Sequence, residues 1–264
     1  MYRLVALDLD DTLLTTDKKI SERNRQVLKR CLDKGIDIVT ASGRFNESQL
    51  VFIKQMGLGL ETKYHVGDGG GTIFNEAAVI QTIGIFKKDL YECVLEQSRS
   101  FGVPCFITNG DSVYYDIEDQ PLCKVYGVMP TRRSYIFKID DLNTVSRPLK
   151  FIFAYTNQEE LEKIKAISCP ETMTIHAGRN LIEITMKTLN KFSALKELGK
   201  IYQVATEEMV CIGDSENDIS MIKGAGLGMV VSNAMDTVKF EADIVGEKTN
   251  DEDGVAWLLE KYVL

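Results

Sequence analysis

The chain has 264 residues, 44% apolar and 27% charged, with a formal net charge of −8, which allows one large α/β domain or two smaller ones with a sizeable core. A net negative balance argues against a dedicated nucleic-acid binder, which presents a basic face, although a bound divalent cation can reverse the sign within one site. No stretch reaches the roughly 20 apolar residues of a membrane span, and Asp8 and Asp10 interrupt any secretory leader after Arg3.

Leu4-Val5-Ala6-Leu7 is a short continuous apolar run, the pattern of a strand buried on both faces. Asp8-Leu9-Asp10-Asp11-Thr12 comes next at its C-terminal end, where open parallel sheets bind ligands. Carboxylates crowded there repel one another unless a cation or a proton neutralises them, so this edge is a candidate hard-metal site or acid/base pair. Ser21 predicts a helix cap, with Val27, Leu28, Cys31 and Leu32 as the apolar stripe and Gly35 as the stop. Ile36–Val39 reads as the second strand, closed by Thr40-Ala41-Ser42-Gly43-Arg44 before a helix to about Gln55. Strands near Tyr64–Val66 and Thr72–Phe74 flank Gly67-Asp68-Gly69-Gly70-Gly71, a tight turn without phosphate-loop spacing.

From about Val79 to Lys187 the texture changes. Strand-like runs at Pro104–Thr108, Val113–Ile117, Lys150–Tyr155, Met173–His176 and Leu181–Thr185 alternate with helical patterns at Lys88–Ser100 and Gln158–Ile167. After Lys187 the first texture returns: a helix capped by Asn190 with Leu195, Leu198, Ile201 and Tyr202, a strand Met209–Ile212, the loop Gly213-Asp214-Ser215-Glu216-Asn217-Asp218, a strand Leu227–Val231, a helix Ala234–Phe240 and a last helix from Gly254. The predicted class is α/β, a Rossmann-like, doubly wound, mostly parallel core at 1–80 and 188–264 with an α+β domain inserted at 81–187. Cys31, Cys93, Cys105, Cys123, Cys169 and Cys211 are widely spaced, and His65 and His176 are the only histidines. A zinc cluster is therefore not expected, and the thiols read as separate buried hydrophobes of a cytoplasmic protein.

Four pieces lie at strand ends or helix starts: Asp8 with Asp10 and Thr12, Ser42-Gly43-Arg44, Lys191, and Asp214 with Asn217 and Asp218. Together they suit a phosphate monoester. Asp8, Asp10 and Asp214 favour an oxygen-binding cation, Mg2+ where phosphate supplies a further ligand. Ser42 is expected to offer a hydroxyl and a backbone N–H at a helix start. Lys191 would be a point charge on phosphate oxygens, although a lysine read alone is a solvated surface residue. Asp8 and Asp10, two apart on extended backbone, can reach one pocket. One would attack phosphorus while the other, held off the metal, keeps a proton for the leaving oxygen.

This set resembles the haloacid-dehalogenase-like hydrolase superfamily, specifically its Cof-type sugar-phosphatase branch with a C2B-type cap. Asp8-Leu9-Asp10-Asp11-Thr12 matches the first motif, Ala41-Ser42-Gly43-Arg44 resembles the second, Asn190-Lys191 falls at the motif lysine, and Gly213–Asp218 is similar to the fourth. Gly224–Gly228, Ser232-Asn233-Ala234 and Asp253–Ala256 also fit. The resemblance implies Asp8 as nucleophile and Mg2+ ligand, and Asp10 as general acid/base touching Mg2+ through its backbone carbonyl. It implies Asp214 as the third ligand and Asp218 as its support. Leu9, Ser42, Gly43, Lys191 and Asn217 would hold phosphate, and the insertion would be a cap that excludes water and selects the leaving group. The sequence departs from the family at Gly69-Gly70-Gly71, where Asn-Gly-Ala is usual, and at Phe192, where glycine is usual.

The implied activity is a Mg2+-dependent phosphomonoesterase of small phosphorylated metabolites, sugar phosphates first, with no nucleic-acid or membrane partner. A phosphosugar mutase with the same aspartyl-phosphate and a silent phosphometabolite-binding protein are the alternatives. A signalling receiver domain would be about half this length, with its phosphorylated Asp in mid-chain. Cap candidates for substrate contact are Asp111, Arg132, Arg133, His176, Arg179 and Glu183.

Overall fold

In a computed structural model that describes residues 1–117, 136–176 and 180–264, the run Leu4–Leu7 forms β1, every residue of it buried. Next in order come β2 (Asp37–Thr40), β3 (His65–Gly67), β4 (Thr72–Phe74) and β5 (Val79–Thr82). Then come β6 (Phe106–Thr108), β7 (Val113–Tyr115), β8 (Ile136–Lys138), β9 (Lys150–Ala154), β10 (Thr172–His176) and β11 (Leu181–Met186), and β12 (Met209–Gly213), β13 (Leu227–Val230) and β14 (Ile244–Val245) close the set. Residues 1–81 with 190–264 make one compact unit and residues 82–189 another.

In the first unit five strands pair in the order β14–β13–β12–β1–β2, all parallel. β1 and β12 are buried from end to end, which is why they read as unbroken apolar runs and not as alternation. The chain first moves from β1 to β2 on one side and later returns through β12 on the other. Strand order reverses beside β1, and the C-terminal ends there frame a crevice. Asp8, Ser42 and Asp214 all sit just beyond those ends.

The helix Glu22–Asp33 starts where expected, with the Ser21 side chain accepting the Asn24 N–H, and buries Val27, Leu28 and Cys31. It lies beside the helix Gly254–Tyr262, where Asn24 Oδ1 accepts the Ala256 N–H at 2.9 Å. A small sheet, β3–β4–β5, carries the glycine-rich turn. Gly70 has φ of +108°, and a Cβ there would collide with the Asn190 carbonyl. Glycine is therefore required for this turn to press against the start of the helix Lys191–Tyr202. The departure at Phe192 has an internal counterpart, because its ring occupies the space that a side chain at Gly224 would need.

The second unit is a six-stranded sheet in the order β10–β11–β9–β6–β7–β8, antiparallel except for β7 with β8. Phe151 and Phe153 of β9 join a buried cluster with Leu90, Val94, Leu161 and Ile164 from the helices Lys88–Phe101 and Gln158–Lys165. The alternate residues Lys150 and Ile152 turn to the other face, as the strand period demands.

The expectation of six separate thiols is corrected. Cys93 and Cys169 form a disulfide, their Cα atoms 6.4 Å apart across 76 positions of sequence, while Cys31, Cys105 and Cys211 are free and buried and Cys123 lies outside the described residues. Spacing could not reveal this pair, because the two residues meet only once the helix Lys88–Phe101 packs beside the helix Gln158–Lys165. Gln97 spans the junction, its amide within 3.3 and 3.1 Å of the two sulfurs and bonded to both backbone groups of Ser168. Closing so long a loop stabilises by about 2–4 kcal/mol. Cys93→Ser should therefore lower the unfolding temperature by several degrees in calorimetry, and dithiothreitol should do the same to wild type. Identical transitions with and without reductant would show that the cross-link adds nothing.

Candidate active site

The backbone after β1 makes one wide helical turn, Leu9–Leu13, in which Asp11 takes a left-handed conformation (φ 59°), one that aspartate tolerates better than most residues. Three contacts pin this loop. The Asp8 N–H donates to the Ile212 carbonyl at 2.9 Å, Asn233 Nδ2 to the Asp11 carbonyl at 2.7 Å, and Asn250 Nδ2 to the Leu14 carbonyl at 2.9 Å. The segment Ser232-Asn233-Ala234 thus acts by holding the acidic loop.

Lys191 is not a solvated lysine. It opens its helix under a reciprocal cap between Asn190 and Ser193 and is completely buried. Its Nζ lies 2.6 Å from Asp8 Oδ1 and 2.6 Å from Asp218 Oδ1. Asp218 Oδ2 accepts the Asp214 and Ser215 N–H groups at 3.0 and 3.1 Å, and Thr12 Oγ1 donates to Asp214 Oδ1 at 2.7 Å. The sequence pieces at 8–12, 191 and 214–218 therefore converge in one buried cluster.

Among the described residues, Asp8, Asp214 and Asp218 form the one group of acids that could hold a metal ion, each offering an oxygen within 4.8 Å of the others. Asp218 thus stands in the acidic set itself as well as beneath the Asp214 backbone, whereas Asp10 does not enter the set through its side chain. Three carboxylates against one ammonium leave two negative charges uncompensated in a buried place. The carboxyls register that deficit. Burial pushes Asp8 well above the usual range despite the opposing pull of Lys191, with Asp218 and Asp214 adding to the rise. Burial and then Asp218 push Asp214 up to about 7. Burial would depress Lys191, but the charges of Asp218 and Asp8 outweigh it and raise it above its ordinary value. An all-oxygen donor set short of two positive charges fits a hard divalent cation.

Asp10 is elsewhere engaged. Arg44 grips it with Nε to Oδ2 at 2.6 Å and Nη2 to Oδ1 at 2.7 Å, and Lys18 Nζ lies 3.0 Å from Oδ1. Burial alone would raise this carboxyl, yet the hydrogen bonds and charges of Arg44 and then Lys18 hold it far below the usual range. These contacts favour the carboxylate form of Asp10, the form that accepts a proton, where the expectation was of a carboxyl that keeps one.

The reading of Ser42 changes in part. Its N–H is spent on the Val66 carbonyl at 3.1 Å, and the helix it was expected to open begins at Asn46. Ser42 Oγ faces the Arg44 N–H at 3.3 Å, so only its hydroxyl is left as a group for an anion. Asn217 Nδ2 lies 3.6 Å from where a Cβ on Gly43 would be, which brings the second and fourth pieces together, and Leu9, between Asp8 and Asp10, is fully buried. Arg44 was legible as part of the second motif, but its spacing alone assigns it no task. Lys18 carried no signal, because it reaches Asp10 from a turn with no periodicity. Of the candidate residues in the inserted unit, Glu183 pairs with the buried Lys150 at 2.9 Å, and His176 and Asp111 are exposed. Arg132, Arg133 and Arg179 lie outside the described residues. No helix among the described residues is long and apolar enough to cross a membrane.

Comparison with known proteins identifies the family. A family model described as haloacid dehalogenase-like hydrolase matches residues 5–259. A Haemophilus influenzae protein is 32% identical over 99% of this chain and 98% of its own length. In Bacillus subtilis, phosphatase YwpJ is 26% identical (98% and 99% covered), and 5-amino-6-(5-phospho-D-ribitylamino)uracil phosphatase YitU is 27% identical (98% and 97% covered). The crystal structure of a haloacid dehalogenase-like hydrolase from Bacteroides thetaiotaomicron superposes with a TM-score of 0.83 at 27% identity, over 99% of both chains.

Proposed function

Because the chain belongs to the haloacid dehalogenase-like hydrolase family and is a phosphatase, we propose that it hydrolyses small phosphorylated metabolites, sugar phosphates foremost, through an aspartyl-phosphate on Asp8. The observation that carries this is the fully buried Lys191 held at 2.6 Å between Asp8 and Asp218 beneath a sheet's functional edge. Mg2+, held by Asp8, Asp214 and Asp218, would supply the missing positive charge and shield a phosphate dianion from the attacking carboxylate.

An Asp8 oxygen forms a bond to phosphorus as the ester P–O bond breaks, and the leaving oxygen takes a proton from Asp10, which Asp10 first gains from solvent against the pull of Arg44 and Lys18. Water then attacks phosphorus, gives its proton back to Asp10, and the Asp8–phosphorus bond breaks to release phosphate. The carboxylate form of Asp10 is the one ready for that second half. Lys191, Ser42, Gly43 and Asn217 hold the phosphate oxygens.

We assign the inserted unit the role of a cap that selects the organic part of the substrate. The name of YitU specifies a phosphate ester on a ribityl chain, which is why phosphorylated polyols join hexose and pentose phosphates at the head of the candidates. A panel of these esters, nucleotides, flavin mononucleotide and pyridoxal phosphate, assayed by phosphate release with Mg2+ and with excess EDTA, tests the proposal. Selective turnover of sugar or polyol esters that EDTA abolishes is expected. Turnover that persists in EDTA would remove the metal, and a preference for nucleotides would remove the sugar-phosphate assignment.

A further inference from the structure

The cations around Asp10 have no part in the acidic cluster beside it. The Arg44 side chain is only 2% exposed, and each of its three nitrogens donates a hydrogen bond. Nε and Nη2 go to the two oxygens of Asp10, Nη1 donates to Ser48 Oγ at 2.9 Å, and the guanidinium lies 4.6 Å from the Phe52 ring centroid. Asp10 itself is 36% exposed, so a locked, buried arginine reaches out to a carboxylate at the open side of the site. Lys18 closes on it from another direction, 3.0 Å from Asp10 and 3.1 Å from Asp11. It does so from a left-handed backbone position (φ 59°) inside a turn sealed by its own N–H to the Thr15 carbonyl and by the Thr15 N–H to the Lys19 carbonyl.

A bidentate fork fixes the plane of a carboxylate as well as its position, and reacting groups displaced by about 1 Å lose on the order of 100-fold in rate. We propose that Arg44 and Lys18 form a cationic clamp that sets the orientation of Asp10, which makes both of them positioning residues for proton transfer at the ester oxygen. The clamp rests on the acid/base role proposed above for Asp10. Arg44 supplies the rigid half, because Ser48 and Phe52 stop its rotation. Lys18 supplies the adjustable half, a single ammonium at the end of a flexible stem.

The test compares first-turnover rates on phenyl phosphate and p-nitrophenyl phosphate, two esters of nearly the same shape. Phenoxide leaves poorly without a proton, whereas p-nitrophenoxide leaves readily without one. Asp10→Asn, Arg44→Met, Arg44→Lys and Lys18→Met are measured with Mg2+ present, alongside thermal unfolding. Asp10→Asn and Arg44→Met should slow phenyl phosphate by about 100-fold or more and p-nitrophenyl phosphate by less than about 5-fold. Lys18→Met, at a half-buried position that unfolding should tolerate, should show the same selectivity at about 10-fold. Arg44→Lys keeps the charge but loses the fork and should recover only part of the rate. If Asp10→Asn is selective while Arg44→Met and Lys18→Met slow both esters equally, the clamp is wrong and the role of Asp10 stands. If Asp10→Asn itself slows both equally, the acid/base role falls and the clamp falls with it.

Discussion

Asp8→Asn should abolish steady turnover, with kcat reduced by about 10,000-fold or more, while the protein stays folded and at least as stable as wild type in the absence of divalent cations. The activity half rests on the proposed chemistry, since an amide cannot attack phosphorus. The stability half rests on charge. Wild type buries three carboxylates around one ammonium, and burial holds the Asp8 carboxyl well above its ordinary range. Its ionised form is thus a cost to the metal-free fold near neutral pH. An asparagine is isosteric and uncharged, and Lys191 keeps its 2.6 Å contact with Asp218, so the buried ammonium is not left without a partner. Phosphate release and thermal unfolding in EDTA check the two halves together. An inactive protein with a sharply lowered melting temperature would mean that Asp8 is structural, and undiminished turnover would mean that the nucleophile lies elsewhere.

Much of this site could be read from the chain because strand ends are marked twice, once by the point where an apolar run stops and again by the acidic residue that comes next. Leu7 to Asp8 and Ile212-Gly213 to Asp214 are such junctions, and the parallel sheet brings both to one edge. Side-chain direction was the part that could not be read. Asp8 and Asp10 stand two apart on what looked like one extended strand end, yet the wide turn from Leu9 sends Asp10 to Arg44 and Lys18 while Asp8 faces Lys191. Ser42 suggests a helix start that belongs to Asn46, because the three residues after it turn before they coil. The short strands β5, β8 and β14 were hidden for another reason: of two to four residues, and exposed in part, they carry too little apolar pattern to separate from loop. The Cys93–Cys169 pair depends on helix packing alone, and no spacing rule reaches it.

Lys191→Met should cost about 3–5 kcal/mol of stability at pH 7.5 without divalent cations, and that loss should shrink on acidification and on addition of Mg2+. The methionine fills most of the volume, so lost packing is minor and charge decides the outcome. With the ammonium gone, Asp8, Asp214 and Asp218 repel one another in a buried space. Already in wild type the Asp214 carboxyl is pushed up to about 7 and that of Asp8 is raised. Between the ordinary carboxylate pKa near 4 and those raised values, the native state binds more protons than the unfolded chain. Metal-free stability must therefore fall as pH rises through that window. Lys191 is shifted upward from its ordinary value by Asp218 and Asp8, so its own contribution is fully present below about pH 10 and cannot produce a dependence near neutrality. Removing it should steepen the carboxylate-driven slope, bringing mutant and wild type closer at pH 5 than at pH 7.5. Thermal unfolding of both proteins at the two pH values, with EDTA and with Mg2+, measures this. A deficit that is the same at pH 5 and pH 7.5 and indifferent to Mg2+ would assign Lys191 to packing, and the uncompensated charge around Asp8 would no longer explain why a cation belongs there.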